Sequence, residues 1–235
     1  LMNIAVILAG GTGSRFGSEL PKQFLKIGNK TVLEHVVEAL QQNDKIDEIA
    51  IVMNEAYIEK TKTMAQEFSW TKVKKILSGG KERYESSINA IQAFKDYPRV
   101  EAANFLIQDA ARPFVSQRII NETIAALEKN PAIMVAIPTT DTILELSEDK
   151  TGIKNIPDRS FLYRCQTPQA FKYALIKKAY DLALADEHIQ ATDDCGIVRK
   201  YLPEVKISIV LGEERNMKLT FPEDIKILEL LNIKK

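Results

Sequence analysis

The sequence predicts an α/β fold with a mostly parallel sheet and helices on both faces, and three observations carry that prediction. Apolar runs of strand length alternate with segments whose apolar residues recur at helical spacing. The first run, Ile4-Ala5-Val6-Ile7-Leu8, is continuously apolar, as a strand buried on both faces must be. Three predicted strands lead directly into loops of unusual chemistry, and such loops converge on one crevice at the carboxyl edge of a parallel sheet.

Size and composition bound the answer. The chain has 235 residues, 45% of them hydrophobic, which suits one sizeable core and a single domain over 1–235 with a small appendage. Lys+Arg and Asp+Glu both number 32, so bulk attraction to nucleic acid or an anionic membrane is excluded and any anion site must be a local cluster. Cys165 and Cys195 lack metal-ligand spacing, so free thiols in a reducing cytoplasm are expected. No apolar run approaches the roughly 20 residues of a membrane span. The short N-terminal run enters a glycine loop and reads as core strand, not signal peptide.

In chain order, Ile4–Leu8 is a strand and Thr31–Gln42 a helix with Val32, Leu33, Val36, Val37 and Leu40 on one face and Thr31 as cap. Ile49–Met53 is a strand, and Glu55–Phe68 a polar surface helix. Val73–Leu77 is a strand, and Glu82–Phe94 a helix with Ile88, Ile91 and Phe94 aligned. Asn104–Ile107 is a strand, Ser116–Glu128 a helix capped by Ser116, and Ile133–Ile137 a strand halted by Pro138. The rhythm changes from Thr139 to Gln169. Short β-like pieces at Thr142–Leu146 and Ile153–Ile156 flank a polar turn, which predicts a hairpin arm over about 139–165. Helices follow at Lys172–Ala185 and Asp193–Tyr201, and a strand at Val205–Val210. Asn216–Leu219 is short and extended, and Pro222–Leu231 closes the chain as a helix with Pro222 at its first position.

Four loops carry chemistry. The first, Gly10-Gly11-Thr12-Gly13-Ser14-Arg15 with Pro21-Lys22-Gln23, misses the dinucleotide fingerprint because Phe16 stands where glycine is needed, and it misses the Walker spacing. Glycines let backbone N–H groups close on an anion that Arg15 and Lys22 neutralise, so a phosphate-rich ligand fits. The bland alternative is a tight turn with surface cations. The second, Gly79-Gly80-Lys81-Glu82-Arg83 reaching Ser86, places two glycines before a helix N-terminus. An ordinary loop and cap would look the same. In the third, Asp109-Ala110-Ala111-Arg112-Pro113, Asp109 can hold a metal or a ribose hydroxyl and Arg112 can grip a phosphate. An Asp–Arg structural pair is the alternative. In the fourth, Asn216-Met217-Lys218-Leu219-Thr220, a lysine between apolar neighbours points at an anion or is simply solvated. Arg159, Thr142, Thr167 and Thr192-Asp193-Asp194 are weaker candidates. His35 and His188 read as structural, and no Ser/His/Asp, Cys/His or metal-ligand spacing points to a nucleophilic or zinc hydrolase.

Taken together, Leu8-Ala9-Gly10-Gly11-Thr12-Gly13-Ser14-Arg15, Pro21-Lys22-Gln23-Phe24, Asp109-Ala110-Ala111-Arg112-Pro113, Gln166-Thr167-Pro168-Gln169-Ala170-Phe171, Thr192-Asp193-Asp194 and Asn216-Met217-Lys218-Leu219-Thr220 resemble the 2-C-methyl-D-erythritol 4-phosphate cytidylyltransferases and the sister ribitol-5-phosphate cytidylyltransferases. The likeness covers nearly the whole chain. It implies a Rossmann-like nucleotidyltransferase fold, a homodimer locked by the protruding arms, and CTP with Mg²⁺ as reactants. By motif position, Ala9, Gly10, Gly11, Gly13, Gly80 and Ser86 would hold the cytidine. Arg15, Lys22 and Lys218 would bind the triphosphate and its transition state. Asp109, Arg112, Thr142 and Thr167 would receive the polyol phosphate, and Arg159 would reach the neighbouring subunit's site. Two positions depart from the usual pattern. Gln108 stands where histidine is usual, and Tyr163 where tryptophan is common. Tyr163 and the opening Leu-Ala-Gly-Gly lean toward the ribitol enzymes, while Thr192-Asp193-Asp194 and the uninserted Ser18-Glu19-Leu20-Pro21 lean toward the erythritol enzymes. A sugar-1-phosphate nucleotidyltransferase and a non-catalytic nucleotide sensor are the rival readings.

Overall fold

The computed structural model describes residues 1–11, 20–189 and 191–233. Its centre is a seven-stranded sheet in the order β11-β7-β10-β6-β1-β4-β5. These strands are β1 (Asn3–Ala9), β4 (Glu48–Met53), β5 (Val73–Ser78), β6 (Asn104–Asp109), β7 (Ala132–Pro138), β10 (Tyr163–Lys172) and β11 (Ile207–Leu211). All pair in parallel except β10, which runs antiparallel between β6 and β7. A minor hairpin, β2 (Lys26–Ile27) with β3 (Lys30–Thr31), precedes the first helix. The predicted mostly parallel α/β sheet is therefore present.

The apolar runs explain the layers. Along β1, Ala5, Ile7 and Ala9 enter one core, while Ile4 and Val6 enter the other, because successive side chains point to opposite faces. Helices α1 (Val32–Gln41), α2 (Ile58–Glu67) and α4 (Gln117–Ala126) cover the first face. Helices α3 (Arg83–Ala93), α5 (Tyr173–Leu184) and α6 (Asp194–Tyr201) cover the second. The predicted caps are real: Thr31 forms a capping box with Glu34, and the Ser116 hydroxyl accepts from Ile119 N–H at 3.2 Å. His35 is structural, buried with Nε2 3.0 Å from the Ile27 carbonyl oxygen and its ring edge-on to Phe114. Cys165 and Cys195 are free thiols. No helix among the described residues is long and apolar enough to cross a membrane.

Two local expectations change. Residues 163–172, read as the end of the arm and its aftermath, form the central strand β10. Pro168 cannot donate to a ladder, and the β10–β7 register shifts between Cys165 and Gln169, a bulge that accommodates it. Residues 216–219, expected to be short and extended, join no sheet, and Leu219 N–H donates to the Ala111 carbonyl at 2.8 Å. Pro222 lies in the turn before the last helix, α7 (Asp224–Ile233), not at its first position. The Asp224 carboxylate instead caps that turn, accepting from Thr220 and Phe221 N–H at 2.8 and 2.9 Å.

Residues 139–162 carry the hairpin β8 (Glu145–Leu146) with β9 (Ile153–Asn155), around a turn tied by Ser147 and Asp149. The arm exposes Ile153, Ile156 and Phe161 at 59%, 56% and 83%. At the other end, Ile27, Val32, Phe114, Leu219 and Leu228 form a third small core that clamps α7 against the β2–β3 hairpin.

Candidate active site

The chain leaves β1 toward β4 and β5 on one side and returns to β6 on the other. The carboxyl ends of β1 and β6 thus mark a switch point, where α/β sheets open a crevice. A cleft of about 1370 Å³ lies there. All four chemical loops line it: Ala9, Gly10 and Gly11 with Lys22; Gly79 to Arg83 with Ser86; Asp109 to Ala111; and Lys218 with Thr220. Residues up to 197 apart in sequence meet directly, since Lys22 Nζ donates to the Leu219 carbonyl at 3.3 Å.

Backbone geometry shapes the nucleotide side. Ser86 Oγ accepts from Gly80 N–H at 3.1 Å, which ties the second loop to the first turn of α3. A Cβ on Gly80 would lie 2.2 Å from Glu85 Cβ, so only glycine lets the loop pass so close to the helix. Among the described residues, a Cβ on Gly11 would meet nothing within 4 Å, and Gly11 lines the cleft. Gln23, absent from the sequence candidates, is buried and donates to the Ala9 carbonyl at 2.7 Å, supporting the end of β1 from beneath.

The electrostatics centre on Asp109. Its Oδ2 accepts from Lys218 Nζ at 2.7 Å, and its Oδ1 lies 3.4 Å from Arg83 Nη2. Burial alone would push this carboxyl up, but Arg83 first and Lys218 next overturn that and hold its pKa at about 2. Arg83 itself feels burial, which disfavours its charge, and is nevertheless raised by Asp194 and Asp109. The alternative reading of Asp109 and Arg112 as a structural pair is not met by a hydrogen-bonded contact between them. Arg112 spends its fork on the Asn216 and Cys165 carbonyls, at 2.8 and 3.0 Å.

Other candidates fall outside the large cleft. Arg112 lines an adjoining pocket of about 320 Å³ that shares Lys218 and Thr220 with it. Thr167 is buried, its Oγ1 accepting from Asp109 N–H at 3.1 Å, so it braces Asp109 from behind. Thr142 and Arg159 sit exposed on the arm, with Arg159 Nη1 donating to the Thr140 carbonyl at 3.2 Å. Gly13 and Arg15 lie outside the described residues. Arg83 and Asp194 were missed as a pair. Both were visible as residues, but nothing in the sequence says that positions 111 apart share a 2.6 Å ion pair.

A fold with its switch-point cleft lined by two glycine pairs and by lysines from both ends of the chain defines an α/β nucleotidyltransferase. Comparison with known proteins narrows this. The model of the IspD family, 2-C-methyl-D-erythritol 4-phosphate cytidylyltransferase, matches residues 3–232, and the chain belongs to that family. It is 43% identical to the 2-C-methyl-D-erythritol 4-phosphate cytidylyltransferase of Thermobifida fusca, over 97% of this chain and 92% of that protein. It is 45% identical to the bifunctional ribulose 5-phosphate reductase/CDP-ribitol pyrophosphorylase of Haemophilus influenzae, over 97% of this chain but only 48% of that longer protein. Among solved structures, the 4-diphosphocytidyl-2C-methyl-D-erythritol synthase of Anaerococcus prevotii superposes with a TM-score of 0.84 at 28% identity, covering 100% of this chain and 99% of that one.

Proposed function

We propose that this chain transfers CMP from CTP to 2-C-methyl-D-erythritol 4-phosphate and releases pyrophosphate. The observation that carries the reading is the convergence of Lys22 and Lys218 with the Gly10-Gly11 and Gly79-Gly80 backbones in one cleft beside Asp109. Family membership over residues 3–232 supports CTP as the donor and the methylerythritol phosphate as the acceptor.

The chemistry follows from charge. The acceptor is a phosphate monoester with a second pKa of about 6, so its attacking oxygen is already anionic near neutral pH. That oxygen bonds to the α-phosphorus of CTP, the α–β bridging bond breaks, and its electron pair leaves with pyrophosphate. No general base is required. The barrier is the approach of two anions, and Lys22 and Lys218, together with Arg15 from the same glycine-rich loop, offset it by positioning and by stabilising charge on the transferred phosphoryl group. Ala9, Gly10, Gly11, Gly13, Gly80 and Ser86 hold the cytidine. Asp109, Arg112, Thr142 and Thr167 receive the acceptor, with Arg159 contributed across a homodimer. The exposed apolar arm supports such a dimer, since a monomer gains nothing by leaving Phe161 in water.

Mg²⁺ fits the site as a cation carried by phosphates. Among the described residues no three His, Cys, Asp or Glu side chains cluster as a protein cage. Asp109, held ionised by its cationic neighbours, lines the cleft, and one or two carboxylates plus phosphate oxygens suffice for this ion. When bound, it would neutralise triphosphate charge.

Pyrophosphate release from CTP, measured with methylerythritol phosphate and ribitol 5-phosphate side by side, tests the reading. A higher kcat/KM for the erythritol acceptor is expected. Preference for ribitol 5-phosphate would favour the second reading, CDP-ribitol synthesis, which the 45% identity to the H. influenzae protein supports. No pyrophosphate with either acceptor would refute transferase activity.

A further inference from the structure

We propose that Arg83 and the buried Asp194 form a positioning strut that fixes the Asp109 carboxylate, and through it Lys218, for the acceptor half of the reaction. The proposal rests on the transferase reading above.

Asp194 is the first residue of α6 and is fully buried. It lines neither cavity, so it does not touch a substrate there. Its Oδ2 accepts from Arg83 Nη1 at 2.6 Å, and its Oδ1 accepts from the buried Tyr180 hydroxyl at 2.6 Å. The opposite edge of the same guanidinium faces Asp109 Oδ1, with Nε and Nη2 each at 3.4 Å. Asp109 Oδ2 then meets Lys218 Nζ at 2.7 Å. Four charges of alternating sign thus run from α6, through the start of α3 and the end of β6, to the segment before α7.

A buried ion pair is a poor way to gain stability, because desolvation consumes most of the attraction and an apolar pair of the same volume does as well. What the pair supplies is geometry. The guanidinium is planar and its donors have fixed directions, so clamping one edge on Asp194 sets where the other edge points. Asp194 cannot shift in turn, because Tyr180 holds its second oxygen and it is packed without solvent. Asp109 is mostly buried but lines the cleft, so without Arg83 its carboxylate would be left to Lys218 alone among these ion-pair partners. With Oδ1 engaged by Arg83, Oδ2 remains the oxygen available to Lys218. Loss of Asp194 would free a cation that already lines the cleft, giving a substrate phosphate a competing site away from Lys218.

Steady-state pyrophosphate-release kinetics on Asp194→Asn, Arg83→Lys, Arg83→Ala and the Arg83→Ala/Asp194→Asn double variant provide the test. Asp194→Asn should raise the acceptor KM roughly tenfold, the scale of coupling within one ionic network, and lower kcat with it, because Lys218 serves the transferred phosphoryl group. Arg83→Lys should recover part of the loss seen in Arg83→Ala, since it keeps the charge but not the fork. The double variant should be no worse than Arg83→Ala alone, because Asp194 acts only through Arg83. An unchanged acceptor KM in folded Asp194→Asn, or losses that multiply in the double variant, would overturn the strut. Should Asp194→Asn not fold, Tyr180→Phe removes one of the two bonds to Asp194 and carries the same expectation. The crystal structure of Asp194→Asn tests the idea without turnover: Arg83 should leave Asp109 Oδ1, and an undisturbed contact would refute the proposal. A wild-type protein inactive with CTP and both polyol phosphates would instead refute the transferase reading, and the crystallographic test would still stand.

Discussion

Replacing Lys218 by alanine separates a catalytic charge from a structural one. In the free protein its ammonium sits 2.7 Å from Asp109 Oδ2, but the lysine side chain is 41% exposed, so solvent screens the pair. Such a bridge contributes no more than about 1 kcal/mol, and Asp109 keeps Arg83 on its other oxygen. A domain of this size loses about 2–4 °C of Tm per kcal/mol, so the variant should stay folded with a small decrease. The catalytic cost should be much larger. Removing one preorganised charge or donor that acts on the transition state costs on the order of 10²–10³-fold in rate. Purified Lys218→Ala, assayed for pyrophosphate release at saturating CTP and acceptor, should therefore show kcat reduced by at least about 10²-fold with a thermal midpoint only slightly lowered. A near wild-type kcat in the folded variant would remove Lys218 from the transition state. A collapse of Tm with the rate would mean that the ion pair is structural.

Other expectations follow from the same geometry. Gly11→Ala adds a methyl where the free protein has open space, so Tm should hold while the CTP KM rises; an unchanged KM would place the nucleotide elsewhere. Leu228→Ala cuts into the small core shared with Leu219 and should cost about 2–5 kcal/mol in chemical denaturation; a loss below about 1 kcal/mol would show that α7 is not clamped as described. A thiol reagent should modify Cys165 in the native protein and Cys195 only in denaturant, because Cys195 is buried and burial drives its thiol well above the ordinary range. Burial also raises the Cys165 thiol, so its reaction should quicken as pH rises; two fast native thiols would contradict the packing. On the proposed homodimer, Arg159→Ala, at an exposed arm residue, should leave Tm unchanged and raise the acceptor KM, and Phe161→Asp should shift sedimentation toward the monomer; a single unchanged species in sedimentation would count against that dimer.

Much of the fold was legible because its parallel strands are continuous apolar runs and its helices carry ordinary caps. Ile4–Leu8, Ile49–Met53 and Ile133–Ile137 each became a central strand within a residue or two. Strand β10 was not legible. Residues Gln166, Thr167 and Gln169 are polar yet buried, because they bond to Glu213, Asp109 and Asp193 across the fold. Local pattern cannot reveal partners that distant.

The sequence by itself determined the α/β class, the glycine loops and the lysines that could face a phosphate, since periodicity, turn chemistry and charge are local properties of the chain. Only the tertiary structure decided which charges pair. It gave Asp109 to Arg83 and Lys218, turned Arg112 onto two backbone carbonyls, and buried Asp194 behind Arg83. The physical reason is that an ion pair depends on distance in space and on local desolvation. Both are set when the ends of β1 and β6, the start of α3 and the segment before α7 come together at one edge of the sheet.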